Sequence, residues 1–155
     1  MPRAHTVRWL AIGALVTGVL DISYAIVFYH FRNHAPPSRI LQSVATGLLG
    51  KASFQGGAAT AALGLGLHFL IATIITLAFY LLARRIAFLT RHAFVSGVFY
   101  GIGVFVVMNY VVIPLSAIGR FLPFVPVVAI TGLLVHMFLI GVPIAWSVKQ
   151  ALGRG

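Results

Sequence analysis

Residues 9 to 31 read WLAIGALVTGVLDISYAIVFYHF, twenty-three positions in which Asp21 is the only Asp, Glu, Lys or Arg. A helix needs about 20 predominantly apolar residues to cross the hydrocarbon of a bilayer, and this run is long enough. It is also the place of the only acidic residue in the 155-residue chain. Three more runs of the same kind follow, at about 58–83, 93–117 and 121–148, so the sequence predicts an all-α, four-helix membrane bundle in a single domain spanning 1–155.

Composition supports this reading. Hydrophobic residues make up 61% of the chain and charged ones 8%, with a mean hydropathy of +1.06. A water-soluble globule of this size covers its surface with more charge than that. The segments between the runs leave no room for a second, soluble domain. The N-terminus resembles a secretory signal, with Arg3 and Arg8 ahead of an apolar stretch and Ala25 as a small residue, but the apolar run continues through IVFYHF and is expected to stay as a span.

Orientation follows from the basic residues. One side holds Arg3, Arg8, Arg84, Arg85, Arg91, Lys149 and Arg154; the other holds Arg32, Arg39, Lys51 and Arg120. Seven against four places both termini in the cytoplasm of a bacterial inner (plasma) membrane. The net charge of +10 is split between two membrane faces, which argues against nucleic acid and for anionic lipid headgroups as partners. Cysteine is absent, which removes disulfides, thiolate metal sites and thiol catalysis.

The chain reads as two similar hairpins. ALVTGVLD (14–21) aligns with AFVSGVFY (93–100), and GLGLHFLI (64–71) with GLLVHMFL (132–139), so each half carries a histidine on its second helix. A repeat of two spans returns the chain to its starting side, which makes the halves parallel about an axis along the membrane normal. At about 1.5 Å rise per residue, Asp21, His68 and His136 fall at one depth near the midplane.

An ionised carboxylate facing lipid costs at least about 2.5 kcal/mol, so Asp21 is expected to face the bundle interior and find a partner. No Lys or Arg lies within the spans. The candidate polar cluster is Asp21, His68, His136, Tyr24, Tyr100 and Asn109, with Thr17 as a further hydroxyl. Gly18, Gly64, Gly97, Gly101 and Gly132 share faces with these residues and are expected to pack helices closely.

Four uses of the cluster stay open from sequence. It can line a proton or small-solute pathway in a transport component, without a cofactor. His68 and His136 can be the axial ligands of a haem b in an electron-transfer protein. Asp21 with both histidines can ligate a divalent metal. Lastly, an Asp–His hydrogen bond can simply hold helices together in a structural or assembly subunit, and four short spans enclose so little space that a homo-oligomer is plausible on packing grounds. His5, His30, His34 and His92 fall at the interfaces.

The first connecting segment, HAPPSRILQSVATGLLGKASFQGG, predicts a short interfacial or re-entrant helix, with Ser38 as N-cap, Ile40, Leu41, Val44 and Leu48 on one face, and Gly50 as its end. Arg39 and Lys51 would reach headgroups. IPLSAIGRFLPFVP predicts a tucked loop, and Pro143 predicts a kink in the last span that frees the Leu139 carbonyl near the level of His136. Soluble-enzyme templates find no purchase: there is no second carboxylate, no phosphate-binding Gly-rich loop and no HExxH, and a Ser23–His68 hydrolase lacks further support, so no enzymatic activity is expected.

The run SRILQSVATGLLGKASFQGGAATAALGLGLHF, with GVLD before it and MNYVVIPLSA after it, resembles a group of small bacterial inner-membrane proteins with four predicted spans and no assigned activity. The resemblance covers nearly the whole chain. It implies fold and location and carries over no functional residue.

Overall fold

The computed structural model describes residues 3–121 and 123–153, so Arg154 of the orientation count and Leu122 of the last predicted span lie outside the described residues. The fold is all-helical, with no strand among the described residues. Four helices are long and apolar enough to cross a membrane: α1 (Arg3–Asn33), α3 (Gly57–Arg85), α5 (Ala93–Leu115) and α6 (Pro126–Ala151). A shorter α2 (Pro37–Leu49) and a 3₁₀ stretch (Gly50–Gln55) join the first two, and a single turn, α4 (Phe88–Arg91), joins α3 to α5. Large apolar side chains such as Leu15, Leu70, Phe94, Phe99 and Ile130 point outward, as a lipid-facing surface requires.

The bundle is held by two kinds of seam. Toward the end that carries the termini, Phe79, Ala83, Ile140, Ile144, Ala145 and Val148 form a side-chain core against which Leu10 and Tyr100 pack. Elsewhere the helices approach backbone to backbone. A Cβ on Gly97 would stand 2.7 Å from the carbonyl oxygen of Gly141, and one on Gly101 would stand 2.7 Å from the Cα of Met137, so α5 and α6 meet with no side chain between them. The predicted close packing at Gly18, Gly64, Gly97 and Gly101 is present: Phe69 lies on Gly18 and the Leu41 backbone lies on Gly64. At Gly132 the nearest atom is Cε2 of Phe105 at 3.4 Å, an ordinary contact that leaves room for a side chain.

Helix α2 is seated on α3 through that Leu41–Gly64 contact, with Ile40 and Ala45 buried beneath it. Its start differs from the sequence expectation. Pro36 is the N-cap residue and Pro37 opens the helix, so fixed proline φ rather than a Ser38 hydroxyl sets the first turn. Its end is as expected, with Gly50 at φ +58. Leu48 is exposed, so the buried stripe is narrower than the predicted one, and Gln42 turns inward to donate to the Gly57 carbonyl at 3.0 Å.

Two spans contain a π turn: Met108–Val112 in α5 and His136–Gly141 in α6. Each ends within two residues of a proline, Pro114 and Pro143. A proline ring collides with the carbonyl four residues before it and offers no N–H, and the wider π turn relieves that collision by one extra residue. At Pro143, where the sequence predicts a kink, the helix holds a π turn that starts at His136. Pro114 does not begin the loop, because the helix runs on to Leu115, and the last span starts at Pro126 rather than near 121. No such turn interrupts α1 or α3, so α6 departs from α3 in backbone within the aligned stretch 132–139, whereas the α5 turn lies beyond its aligned stretch 93–100.

Candidate functional site: an intramembrane polar cavity

Beside the side-chain core, and sharing Ile140 with it, α1, α2, α3, α5 and α6 line a partly open cavity of about 290 Å³. Asp21, His68, His136 and Asn109 all line it, together with Thr17, so most of the sequence-predicted cluster shares one space. Ile71, Ile75, Val104, Val112 and Ile140 form the apolar part of its wall. The volume is far above the ~30 Å³ that one water takes in the liquid, so the space exceeds what a single bridging water fills.

Two of the predicted residues are elsewhere. Tyr24 stacks on Phe28 with ring centroids 5.4 Å apart, beside Val27 and Phe31 on the outer side of α1. Tyr100 packs edge-on against Phe79 at 4.8 Å and donates its hydroxyl to the Ile75 carbonyl at 2.6 Å, which makes it a bolt between α5 and α3. Both tyrosines sit on helix faces adjacent to the cluster by sequence, and the roll of the helices turns them away. Ser23 is exposed and does not line the cavity.

Hydrogen bonding fixes the tautomers of the histidines. His68 Nε2 lies 2.9 Å from the Gly18 carbonyl oxygen, which can only accept, so Nε2 carries the proton. Nδ1 of the same ring stands 3.9 Å from Asp21 Oδ2. His136 Nδ1 lies 2.8 Å from the Gly132 carbonyl one turn back, so there Nδ1 carries the proton and Nε2 is the remaining nitrogen. Asn109 Nδ2 donates to the Phe105 carbonyl at 2.9 Å, leaving its amide oxygen. Both His136 and Asn109 belong to π turns, which are frequent carriers of functional side chains.

Thr17 is the least conventional member. Thr73, Thr76 and Thr131 each bond back to the carbonyl four residues earlier, as membrane-helix threonines commonly do. Thr17, 1% exposed, makes no such bond, and its hydroxyl has no hydrogen-bond partner among the described residues. A buried hydroxyl without a partner costs roughly 1–3 kcal/mol, and this oxygen is closed off from the cavity space as well.

The cover of the cavity was not legible as such. Ser43, Val44 and Gly47 of α2 line it, as does Ser116 just beyond α5. The Ala117 N–H donates to the Gly47 carbonyl at 2.9 Å and ties α2 to that loop. The i, i+4 spacing of Ser43 and Gly47 makes a small-residue face that apolar periodicity does not reveal. On the outward side of Ser43 a second pocket, about 580 Å³, is lined by Arg39, Lys51 and Arg120. Of the peripheral histidines, His30, His34 and His92 are exposed, whereas His5 accepts from Trp9 Nε1 at 3.2 Å and its Nδ1 is buried without a partner among the described residues.

The geometry bears on the ligand-holding alternatives. Among the described residues no three His, Asp or Glu side chains gather closely enough to hold a metal ion, so Asp21, His68 and His136 share a cavity without forming a ligand triad. Axial ligation of a haem by His68 through Nε2 requires breaking its bond to the Gly18 carbonyl. Comparison of the chain with protein-family models, with curated proteins and with solved structures finds no match.

Proposed function

We propose that this protein is a small transport or permeation component of the bacterial inner membrane, with both termini in the cytoplasm and no catalytic activity of its own. The observation that carries the reading is the cavity: a lone carboxylate and two imidazoles in a space of about 290 Å³, placed midway along helices of spanning length. Ionisable groups within membrane spans are costly and are characteristic of proton and solute pathways. Asp21 and His68 stand 3.9 Å apart, longer than a hydrogen bond, so a small side-chain rotation would pass a proton between them. With Nε2 committed to Gly18, the proton that is exchangeable lies either on Nδ1 or on the carboxyl. Helix α2, held by Leu41–Gly64 on one side and Gly47–Ala117 on the other, covers the cavity as a gate rather than lying apart as an anchor.

Anionic lipid headgroups fit the pocket of Arg39, Lys51 and Arg120, and self-association would complete a small bundle. A purely structural role is the second reading, favoured by one contact: the His68–Gly18 hydrogen bond joins α3 to α1 directly.

Reconstitution decides between them. Proteoliposomes loaded with a pH-sensitive dye are expected to show proton or solute flux that Asp21→Asn lowers at least 10-fold while the variant still purifies as a folded protein. Equal flux in both, or none in either, removes the transport reading.

A further inference from the structure

The polar atoms that face the cavity are nearly all acceptors, and this restricts what can bind there. His68 has spent its Nε2 proton on Gly18, His136 its Nδ1 proton on Gly132, and Asn109 one of its two amide N–H groups on Phe105. Ser43 donates to the Ile40 carbonyl at 2.6 Å. What remains is the carboxylate of Asp21, a ring nitrogen on each histidine, the Asn109 amide oxygen with its second N–H, and the lone pairs of Ser43, so acceptors outnumber donors; the Thr17 hydroxyl, without a partner among the described residues, is closed off behind the wall.

We infer that the cavity binds a small organic cation that donates hydrogen bonds, a protonated amine with a short apolar body, in exchange for the proton shared by Asp21 and His68. The ammonium group sits against the carboxylate and the acceptors, and the body lies against Ile71, Ile75 and Val104. Charge balance enforces the exchange. With one proton on the pair and no ligand, the carboxyl and imidazole sum to zero; with the ammonium bound, the carboxylate balances the cation and the proton leaves to the aqueous phase. Retaining both would leave a net charge in a low-dielectric space. An anion would meet the Asp21 carboxylate and a ring-nitrogen lone pair on each histidine.

The titratable groups facing the site are Asp21 from α1, His68 from α3 and His136 from α6; α2 and α5 contribute none among the described residues. The inference rests on the transport reading for the location of the site, and its test separates binding from movement.

The test is calorimetric titration of the purified full chain in lipid nanodiscs with n-butylammonium, 1-butanol, butyrate and tetramethylammonium. Saturable binding of n-butylammonium is expected, with one proton released per ligand, seen as a heat that changes with the ionisation enthalpy of the buffer. Tetramethylammonium, which has the charge without N–H, and the two non-cationic analogues are expected at least 10-fold weaker. Asp21→Asn should weaken n-butylammonium at least 10-fold. If that variant fails to fold, the near-isosteric Asn109→Leu, which removes an acceptor lining the cavity, carries the test with an expected several-fold loss. Equal binding of 1-butanol or butyrate, absence of proton release, or unchanged affinity in both folded variants overturns the inference. Binding without vesicle flux removes the transport reading and leaves the ligand class standing; proton flux without amine binding does the opposite.

Discussion

His68 reaches α1 twice, with Nε2 at 2.9 Å from the carbonyl of Gly18 and Nδ1 at 3.9 Å from the carboxylate of Asp21, three residues further along the same helix. The two contacts differ in kind. The first has hydrogen-bond length and the second exceeds it, so the structural tie runs through the Gly18 backbone and the carboxylate stays available.

Stability should follow that division. His68→Ala is predicted to lower unfolding free energy by about 0.6–1.7 kcal/mol, the span measured for interhelical hydrogen bonds in membranes. Asp21→Asn is predicted to change it by less than about 0.5 kcal/mol. Unfolding in mixed micelles measures both, and a larger loss for Asp21→Asn would return the carboxylate to a structural role.

The α5–α6 seam makes a second prediction. Gly101→Ala inserts a methyl group where backbone atoms of His136 and Met137 already stand, 2.6 and 2.7 Å from the added carbon, and backbone cannot yield as a side-chain tip does. A loss of about 1–3 kcal/mol is expected. Gly103→Ala, two residues on and with nothing within 4 Å, should be neutral or slightly stabilising. Thermal unfolding of the two variants side by side measures the contrast.

Helix α2 can be tested as a gate because the chain has no cysteine. A Cβ placed on Gly47 lies 3.9 Å from Cβ of Ser116, close to the mean separation of about 3.8 Å in disulfides. In the double variant Gly47→Cys and Ser116→Cys, oxidation is predicted to stop flux and reduction to restore it. Flux unaffected by a verified crosslink would make α2 a passive cover.

The tyrosines provide a control on the extent of the site. Tyr100→Phe removes the hydroxyl bound to Ile75 and should cost about 0.5–1.5 kcal/mol of stability with amine affinity unchanged. Tyr24→Phe, on the outer side of α1, should leave both alone. Calorimetry and unfolding on the same preparations separate the two effects.

The basic pocket beside Ser43 predicts lipid selectivity. Replacing Arg39, Lys51 and Arg120 by Gln should reduce retention of phosphatidylglycerol relative to phosphatidylcholine, each charge contributing about 1 kcal/mol near a membrane surface. Native mass spectrometry of the detergent-purified protein counts the retained lipid.

The four spans were legible because apolar length is itself the signal; proline set the late start of the last span, while α1 from Arg3 and α6 to Ala151 run on as helix past the apolar stretch into the basic flanks. FLPFVP is apolar enough to belong to a span, but helix begins at Pro126, where a missing N–H costs nothing. The Asp21, His68, His136 and Asn109 grouping was legible because buried polar groups must find one another within so few helices. Tyr24 and Tyr100 were not separable from it, since an amphipathic ring satisfies its hydroxyl on any nearby carbonyl. The part played by Ser43, Gly47 and Ser116 depends on how α2 folds back over the bundle, a long-range contact that no local spacing encodes.

The glycine seams also decide which parts can move. Where two backbones touch at Gly97, Gly101 and Gly141, sliding is blocked by main-chain atoms, so α5 and α6 behave as one body; Gly64 welds α2 to α3 in the same way. Any opening of the chamber must therefore be a hinge between these two welded pairs, with α1 as the flank along which they part.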